Sequence, residues 1–337
     1  MHLDFIGRPE KHSEVEVLRF TRVLFGLMPS PFLLGGVIEC HLETWESRMS
    51  NLFAELRQSM YVDDLISRKP TVPGAKKMKD GTKRIFQDAK FTLHKWHSNV
   101  AELEESERGV DDEGTFAKQQ LSQTKAKTGS LLGLSWDKHG DQISVAMPQD
   151  DAVASKRTFL RNLARIYDPL SLVAPVTIKG KFIYRDVCNV KVAWDAPLPP
   201  PLASQWARWK KELPAEVMVT RVLTCAQEQI ERIELHGFGD ASKNGVCATL
   251  HAVVRQSSGV RQGLVTEKAR LAKQGLTNLR LELVSAHMAT NLITNVEKAL
   301  EGFPFKRCYG WLDGSVALHW IKGGGEYKQF VANRADR

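Results

Sequence analysis

The feature that most limits how this chain can fold is the change of pattern in its C-terminal third. Residues 233–238 alternate apolar and polar side chains and run into Gly239-Asp240-Ala241-Ser242. Residues 246–254 repeat the alternation, and residues 262–266 repeat it more briefly. A period of two is the signature of half-buried strands. The period then changes. Leu279, Leu283, Ala286, Ala289, Leu292, Ile293 and Val296 fall at the spacing of an amphipathic helix over 278–300. Residues 307–312 read as a fourth strand ending at Asp313, followed by a helix over 315–321. The order β-β-β-α-β-α implies an antiparallel start and then a crossover that can lay the fourth strand parallel to the first.

That order gives three acids one meeting place. Asp240 ends the first strand, Glu282 lies on the helix beside its apolar stripe, and Asp313 ends the fourth strand. If the first and fourth strands are neighbours, the three carboxylates converge at one edge of the sheet. A charge beside an apolar stripe is costly unless something uses it. Any one of these acids alone would read as an ordinary surface carboxylate. Together they are hard oxygen donors suited to Mg²⁺ (or Mn²⁺) and to in-line attack of water on a phosphodiester.

A second acidic motif lies near the other end. Met60-Tyr61-Val62-Asp63-Asp64-Leu65-Ile66 places two adjacent acids between apolar residues, as a tight hairpin with carboxylates at its tip would. Such a pair also suits metal-assisted phosphoryl transfer, although Asp-Asp alone is a common surface turn. Residues 69–90 are strongly basic, with Lys76, Lys77, Lys79, Lys83 and Arg84 as candidate phosphate contacts. Residues 102–113 are acidic, with Glu102, Glu104, Glu105, Glu107, Asp111 and Asp112, and read as a solvated face. Residues 131–145 (LLGLSWDKHGDQISV) read as a hairpin turning at Gly140, residues 194–202 as a stiff proline-rich connector, and a helix follows around Trp206 and Trp209.

Composition narrows the class. A chain of 337 residues with 42% apolar and 26% charged content suggests two or three globular domains. The net charge of +8 permits a polyanionic partner without requiring one. Five scattered cysteines, an odd number with no CxxC spacing, argue against a disulfide framework and for a reducing compartment, cytoplasmic or nuclear. The N-terminal residues carry charges where a secretory signal needs an apolar core, and the uncharged run 23–38 is interrupted by Pro29 and Pro31. Neither secretion nor membrane insertion is expected.

The wording of several blocks points further. Arg19 to Leu34 (RFTRVLFGLMPSPFLL), with Phe25-Gly26 and Ser30-Pro31-Phe32, together with Tyr61-Val62-Asp63-Asp64, resembles the palm of reverse transcriptases. Adding FTLHKWHSN (91–99), ARIYDPLSLVAPVTIKGKF (164–182) and LHGFGDAS (235–242), the chain resembles polyproteins of BEL/Pao-type long-terminal-repeat retrotransposons from about Arg19 to its end. GFGDAS, LRLELVSAH and GWLDGSVALHWI resemble a ribonuclease H core.

The resemblance implies a multidomain α/β and α+β chain. A partial reverse-transcriptase palm would occupy 1–95, and the palm end with a primer-grip-like hairpin 96–150. A Pao-type connection region would follow over 151–232, and a truncated ribonuclease H-like mixed sheet over 233–337. It implies catalytic and metal-binding roles for Asp240, Glu282 and Asp313, with Asp63 and Asp64 as a palm remnant, Mg²⁺ or Mn²⁺ as cofactor, and an RNA–DNA hybrid as partner. It also implies a third palm carboxylate on an earlier strand and a fourth ribonuclease H carboxylate beyond Arg337. Asp4 reads as incidental, so polymerase activity is not expected of this chain, which reads as a fragment or a decayed copy.

Other departures are Leu24, Met28-Pro29, Asn278-Leu279, and Gly314 where the family has Ser, a change that loosens the start of the last helix. Two alternatives stand beside this reading. One is a catalytically dead nucleic-acid-binding or host-retained interaction module. The other is the aspartic peptidase attached to the Pao region around Asp168. Against the peptidase, the chain has no Asp-Thr/Ser-Gly tripeptide, and Asp168 before Pro169 reads as a turn residue.

Overall fold

A computed structural model describes residues 4–7, 16–19, 24, 26–105, 128–149, 153–225, 227–323 and 325–335, in two units, Met1–Asp112 and Glu113–Arg337. Phe25 and much of the block before it, and Glu107, Asp111 and Asp112 of the acidic run, lie outside the described residues.

In the first unit, β1 (Asp4–Gly7) and β2 (Glu16–Arg19) form an antiparallel pair. Helix α1 (Ser30–Glu43) begins with Pro31 in its first turn, where the missing N–H is no loss. Helix α2 (Ser50–Ser59) runs directly into a minimal hairpin of β3 (Met60–Tyr61) and β4 (Asp64–Leu65). Helix α3 (Val72–Asp88) is capped by Thr71, whose side chain accepts from the Gly74 N–H at 3.2 Å. These helices share a core of Ile38, Leu42, Trp45, Phe53, Leu56, Met78, Ile85 and Phe86. The short helix α4 (Glu102–Glu105) follows.

Among the described residues, the second unit contains two sheets. The expected hairpin over 131–145 is part of a larger element: β5 (Thr128–Leu131), β6 (Leu134–Asp137) and β7 (Gln142–Ala146) form consecutive antiparallel strands. A two-residue turn at Leu132-Gly133, both with positive φ (50° and 83°), reverses the chain inside what reads as one apolar run. Their sheet is completed by β8 (Glu216–Thr220) from far downstream. Against it pack α5 (Lys156–Arg165), α6 (Ala174–Asn189) and α7 (Pro200–Glu212), whose Phe159, Trp206 and Trp209 cluster at the centre. The Trp209 indole N–H donates to the Val176 carbonyl at 3.1 Å, so the buried ring leaves no donor unpaired.

The C-terminal sheet has the order β11-β10-β9-β12. Strands β9 (Arg232–Ala241), β10 (Gly245–Gln256) and β11 (Gly259–Leu271) are antiparallel, and β12 (Phe305–Leu312) lies parallel to β9. Strand β9 runs through Gly239-Asp240-Ala241 rather than stopping before it, and β11 extends well beyond the expected 262–266.

Helix α8 (Asn278–Ala299) lies on one face, burying Leu281, Leu283, Ser285, Met288 and Ala289, while Leu279 is exposed at its start. Two glycines make its approach close. A Cβ on Gly239 would lie 2.9 Å from the Ser285 backbone, and one on Gly237 2.7 Å from Ile293 Cδ1. The opposite face carries a stack of His236, Phe238, Tyr309 and Trp311. Helices α9 (Ser315–Lys322) and α10 (Gln329–Ala335) end the described chain. No helix among the described residues is long and apolar enough to cross a membrane.

Candidate metal centre

The sheet order brings together acids that are far apart in sequence. Trp311 pairs with Phe238 and Leu312 with Gly239, so Asp313 and Asp240 emerge side by side from the same end of two parallel strands. Because α8 presses its backbone onto Gly239, Glu282, one turn before Ser285, reaches the same place. One ligand oxygen from each of Asp240, Glu282 and Asp313 lies within 4.8 Å of the others. Asp240 and Asp313 are exposed, and Glu282 is half-buried. Ser285 Oγ–H donates to the Glu282 carbonyl at 2.7 Å, and the Ala241 N–H donates to Asp240 Oδ1 at 2.7 Å, which limits the freedom of that side chain.

The electrostatics are those of a site lacking positive charge. Burial pushes the Glu282 carboxyl above the ordinary glutamate range, and the carboxylates of Asp313 and Asp240 push it further. Glu282 Oε2 is buried with no hydrogen-bond partner. A buried lone pair left without a donor is costly, and a divalent cation is the group that would satisfy it while relieving the repulsion. The donor set is all oxygen, which fits Mg²⁺ or Mn²⁺. The neighbouring Cys247 thiol is raised by burial and by Asp240, which disfavours the thiolate form a soft metal would want. Gly314 has a steric role here: a Cβ at that position would stand 3.2 Å from Glu282 Cγ.

The other sequence candidates fare differently. Asp63 and Asp64 are exposed at the β3–β4 hairpin, and among the described residues no third acid, His or Cys joins them in a metal-binding group. Val62 in that turn has φ 56°, a left-handed conformation that costs a β-branched residue about 1–2 kcal/mol. In helix α3, Lys76, Lys77 and Arg84 are exposed and Lys83 is half-buried.

Lys79 corrects the expectation of a phosphate contact. It is 7% exposed, its ammonium donates to the Leu103 carbonyl at 2.6 Å, and it lies 5.3 Å from the centre of the Trp96 ring. It faces the helix's own packing surface, one position on from Met78. Asp168 has both carboxylate oxygens engaged, accepting from the N–H groups of Leu172 and Val173 at 2.8 Å each. That is the geometry of a turn cap.

Cations also lie near the acids, on segments that the sequence does not single out as basic. The register row Asp240–Cys247–Ala269 places Lys268 and Arg270 two strands from Asp240, and both are exposed. Lys243, Lys273 and Arg280, also exposed, sit on the segments that leave Asp240 and approach Glu282. Their signal in the sequence was their closeness to the acid-bearing blocks.

Among known proteins, residues 155–314 match the Pao retrotransposon-like RNaseH-like domain. The match takes in α5, α6 and α7 as well as the sheet, and reaches Asp313. No curated protein matches the chain. Among solved structures it is similar to a foamy viral protease-reverse transcriptase described in complex with double-stranded DNA, at 14% identity and a TM-score of 0.21 over 94% of this chain. The chain spans 50% of the length of that structure's chain. Over residues 155–314, then, the chain is similar to the Pao retrotransposon-like RNaseH-like domain.

Proposed function

We propose that the C-terminal sheet is a ribonuclease H-type nuclease acting on the RNA strand of an RNA–DNA hybrid. The observation that carries this reading is the convergence of Asp240, Glu282 and Asp313 within 4.8 Å, with Glu282 Oε2 buried and unpartnered. These residues would hold divalent metal, which when bound supplies charge stabilisation for the phosphodiester and a more acidic water. The chain's own groups have separate tasks. The Ala241 N–H orients Asp240. The absence of a side chain at Gly314 leaves room for Glu282. Lys243, Lys273 and Arg280, exposed on the segments that flank the acids, suit a polyanionic substrate.

The first unit is read as a palm-like remnant without polymerase activity, because Asp63 and Asp64 supply only part of a two-metal site. Its exposed Lys76, Lys77 and Arg84 remain candidates for backbone contact. Primer extension by the 337-residue chain on an RNA template, abolished by Asp64→Asn, would overturn that part. Proteolysis finds no support in a carboxylate already spent on two backbone donors.

The test is cleavage of a labelled hybrid in Mg²⁺ and in Mn²⁺ by the parent chain and by Asp240→Asn. Loss of one such electrostatic group should cost on the order of 10²–10³ in rate. Equal rates in the two proteins would sink the nuclease reading. Salt-dependent hybrid binding by the parent without metal-dependent cleavage would instead favour the non-catalytic binding module.

A further inference from the structure

Helix α6 belongs to the segment before the sheet, yet its N-terminus is fastened to the sheet's edge strand. The Ala174 N–H donates to Glu267 Oε1 at 2.9 Å. The Leu170 carbonyl accepts from the Glu267 N–H at 3.2 Å and from Thr266 Oγ1–H at 2.9 Å. Asp168 closes the loop between them by capping Leu172 and Val173. Glu267 is 8% exposed, an unusual burial for a carboxylate unless it is bonded where it lies.

The same helix also touches the turn that follows Asp240. The Arg185 guanidinium donates to the carbonyl and the side-chain oxygen of Asn244, each at 3.4 Å. A Cβ on Gly245 would stand 3.0 Å from the Phe182 ring. Between helix and sheet lies a cavity of about 270 Å³, walled by Ala174, Ile178 and Phe182 on one side and by Asp240, Cys247 and Glu267 on the other. Glu267 and Asp240 thus bound one space on the sheet face away from α8.

We propose that Glu267 is a positioning residue for the acid cluster. Its carboxyl pins α6 across β10 and β11, and α6 in turn holds the 241–245 turn that fixes Asp240. The region attached by resemblance to a peptidase then serves the nuclease as a brace. The metal-binding arm of this idea rests on the reading under Proposed function, whereas its mechanical arm does not. Loosening the brace leaves the three acids in place chemically but lets the strand end carrying Asp240 move.

The experiment pairs Glu267→Ala with Glu267→Gln in the full chain, read by amide hydrogen exchange and by Mn²⁺ titration. Gln keeps an acceptor for the Ala174 N–H, and Ala does not. Glu267→Ala should speed exchange over residues 241–246 by about ten-fold or more while Leu235 and Leu250 stay protected. It should weaken Mn²⁺ binding by about ten-fold, the range seen when groups behind a metal ligand are removed. Glu267→Gln should stay within about two-fold of the parent in both measurements.

Parent-like exchange over 241–246 in Glu267→Ala overturns the proposal, as does a Gln variant no better than Ala. If Glu267→Ala loses protection throughout the sheet, Arg185→Ala decides: faster exchange confined to 241–246 supports the brace, and no change removes it. If the parent and Asp240→Asn take up Mn²⁺ alike, the metal reading fails by itself, and the exchange contrast still judges the brace.

Discussion

Two acidic motifs in this chain look similarly suited to metal in the sequence, and the fold treats them in opposite ways. Asp63 and Asp64 are neighbours in the chain and stay exposed on a hairpin of four paired residues, with no third ligand among the described residues. Asp240, Glu282 and Asp313 are distant in the chain and are brought within 4.8 Å by a parallel strand pair and a helix pressed onto glycines. Adjacency leaves two carboxylates exposed to water with no third element brought to them. Convergence from three elements lets a rigid framework hold carboxylates together against their repulsion, and the cost appears in the raised Glu282 and its unpartnered oxygen.

The largest effect that would sharpen this contrast comes from the acids themselves. Asp240→Asn should lower Mn²⁺-supported hybrid cleavage on the order of 10²–10³, while Asp63→Asn should leave it within about two-fold. A drop of the same size in both would erase the distinction between the motifs.

Next comes the framework. Gly239→Ala must push α8 off the strand, because its Cβ meets backbone rather than a flexible side chain. The expected cost is about 1–3 kcal/mol, with a Tm fall of about 5 °C. Gly310→Ala, on the neighbouring strand with nothing within 4 Å, should change Tm far less. Equal losses at the two positions would show that helix approach is not what Gly239 provides.

Smaller effects separate the cations of α3. Removing Lys76 or Lys77 should reduce the slope of log K against log salt for nucleic-acid binding by about 0.7–0.9 each, with little change in Tm. Lys79→Ala should do the reverse, lowering Tm with no change in slope, because its ammonium is bonded inside the unit. A slope change at Lys79 equal to that at Lys76 would contradict its buried placement.

The smallest effect is in the pH dependence of the metal-free protein. Folding raises the Glu282 carboxyl above its unfolded value, so the ionised form opposes folding. That opposition is absent below the unfolded value and fully present above the folded one. Glu282→Gln should therefore raise Tm slightly at neutral pH in chelator, and the gain should vanish on acidification below the ordinary glutamate range. A gain that persists in acid would have another cause.

Much of the C-terminal sheet was legible because its strands alternate cleanly and its helix is long. Strand β11 is longer than its alternating stretch for a physical reason. Its solvent-facing edge carries Arg261, Lys268 and Arg270, and charges that protect an edge strand from pairing also mask its alternation. The hairpin at 131–145 hid a third strand because Leu132-Gly133 makes a turn with no Asn, Asp or Pro to mark it. Strand β8 is short, and its partner β7 lies many residues earlier, so no local pattern announces the pairing. Lys79 looks like its basic neighbours because a charge run does not say which of its members turns inward.

By itself the sequence determined the element order, the glycines at 237 and 239, the acids at strand ends, and the blocks whose wording resembles Pao-type retrotransposons. Those are local matters of period, side-chain volume and residue type. Only the tertiary structure decided which acids meet, that Glu282 has an oxygen with no partner, that Lys79 is inside, and that Glu267 joins α6 to the sheet. These depend on which strand lies beside which and how closely a helix approaches. Such distances are fixed by packing between segments that carry no mark of one another.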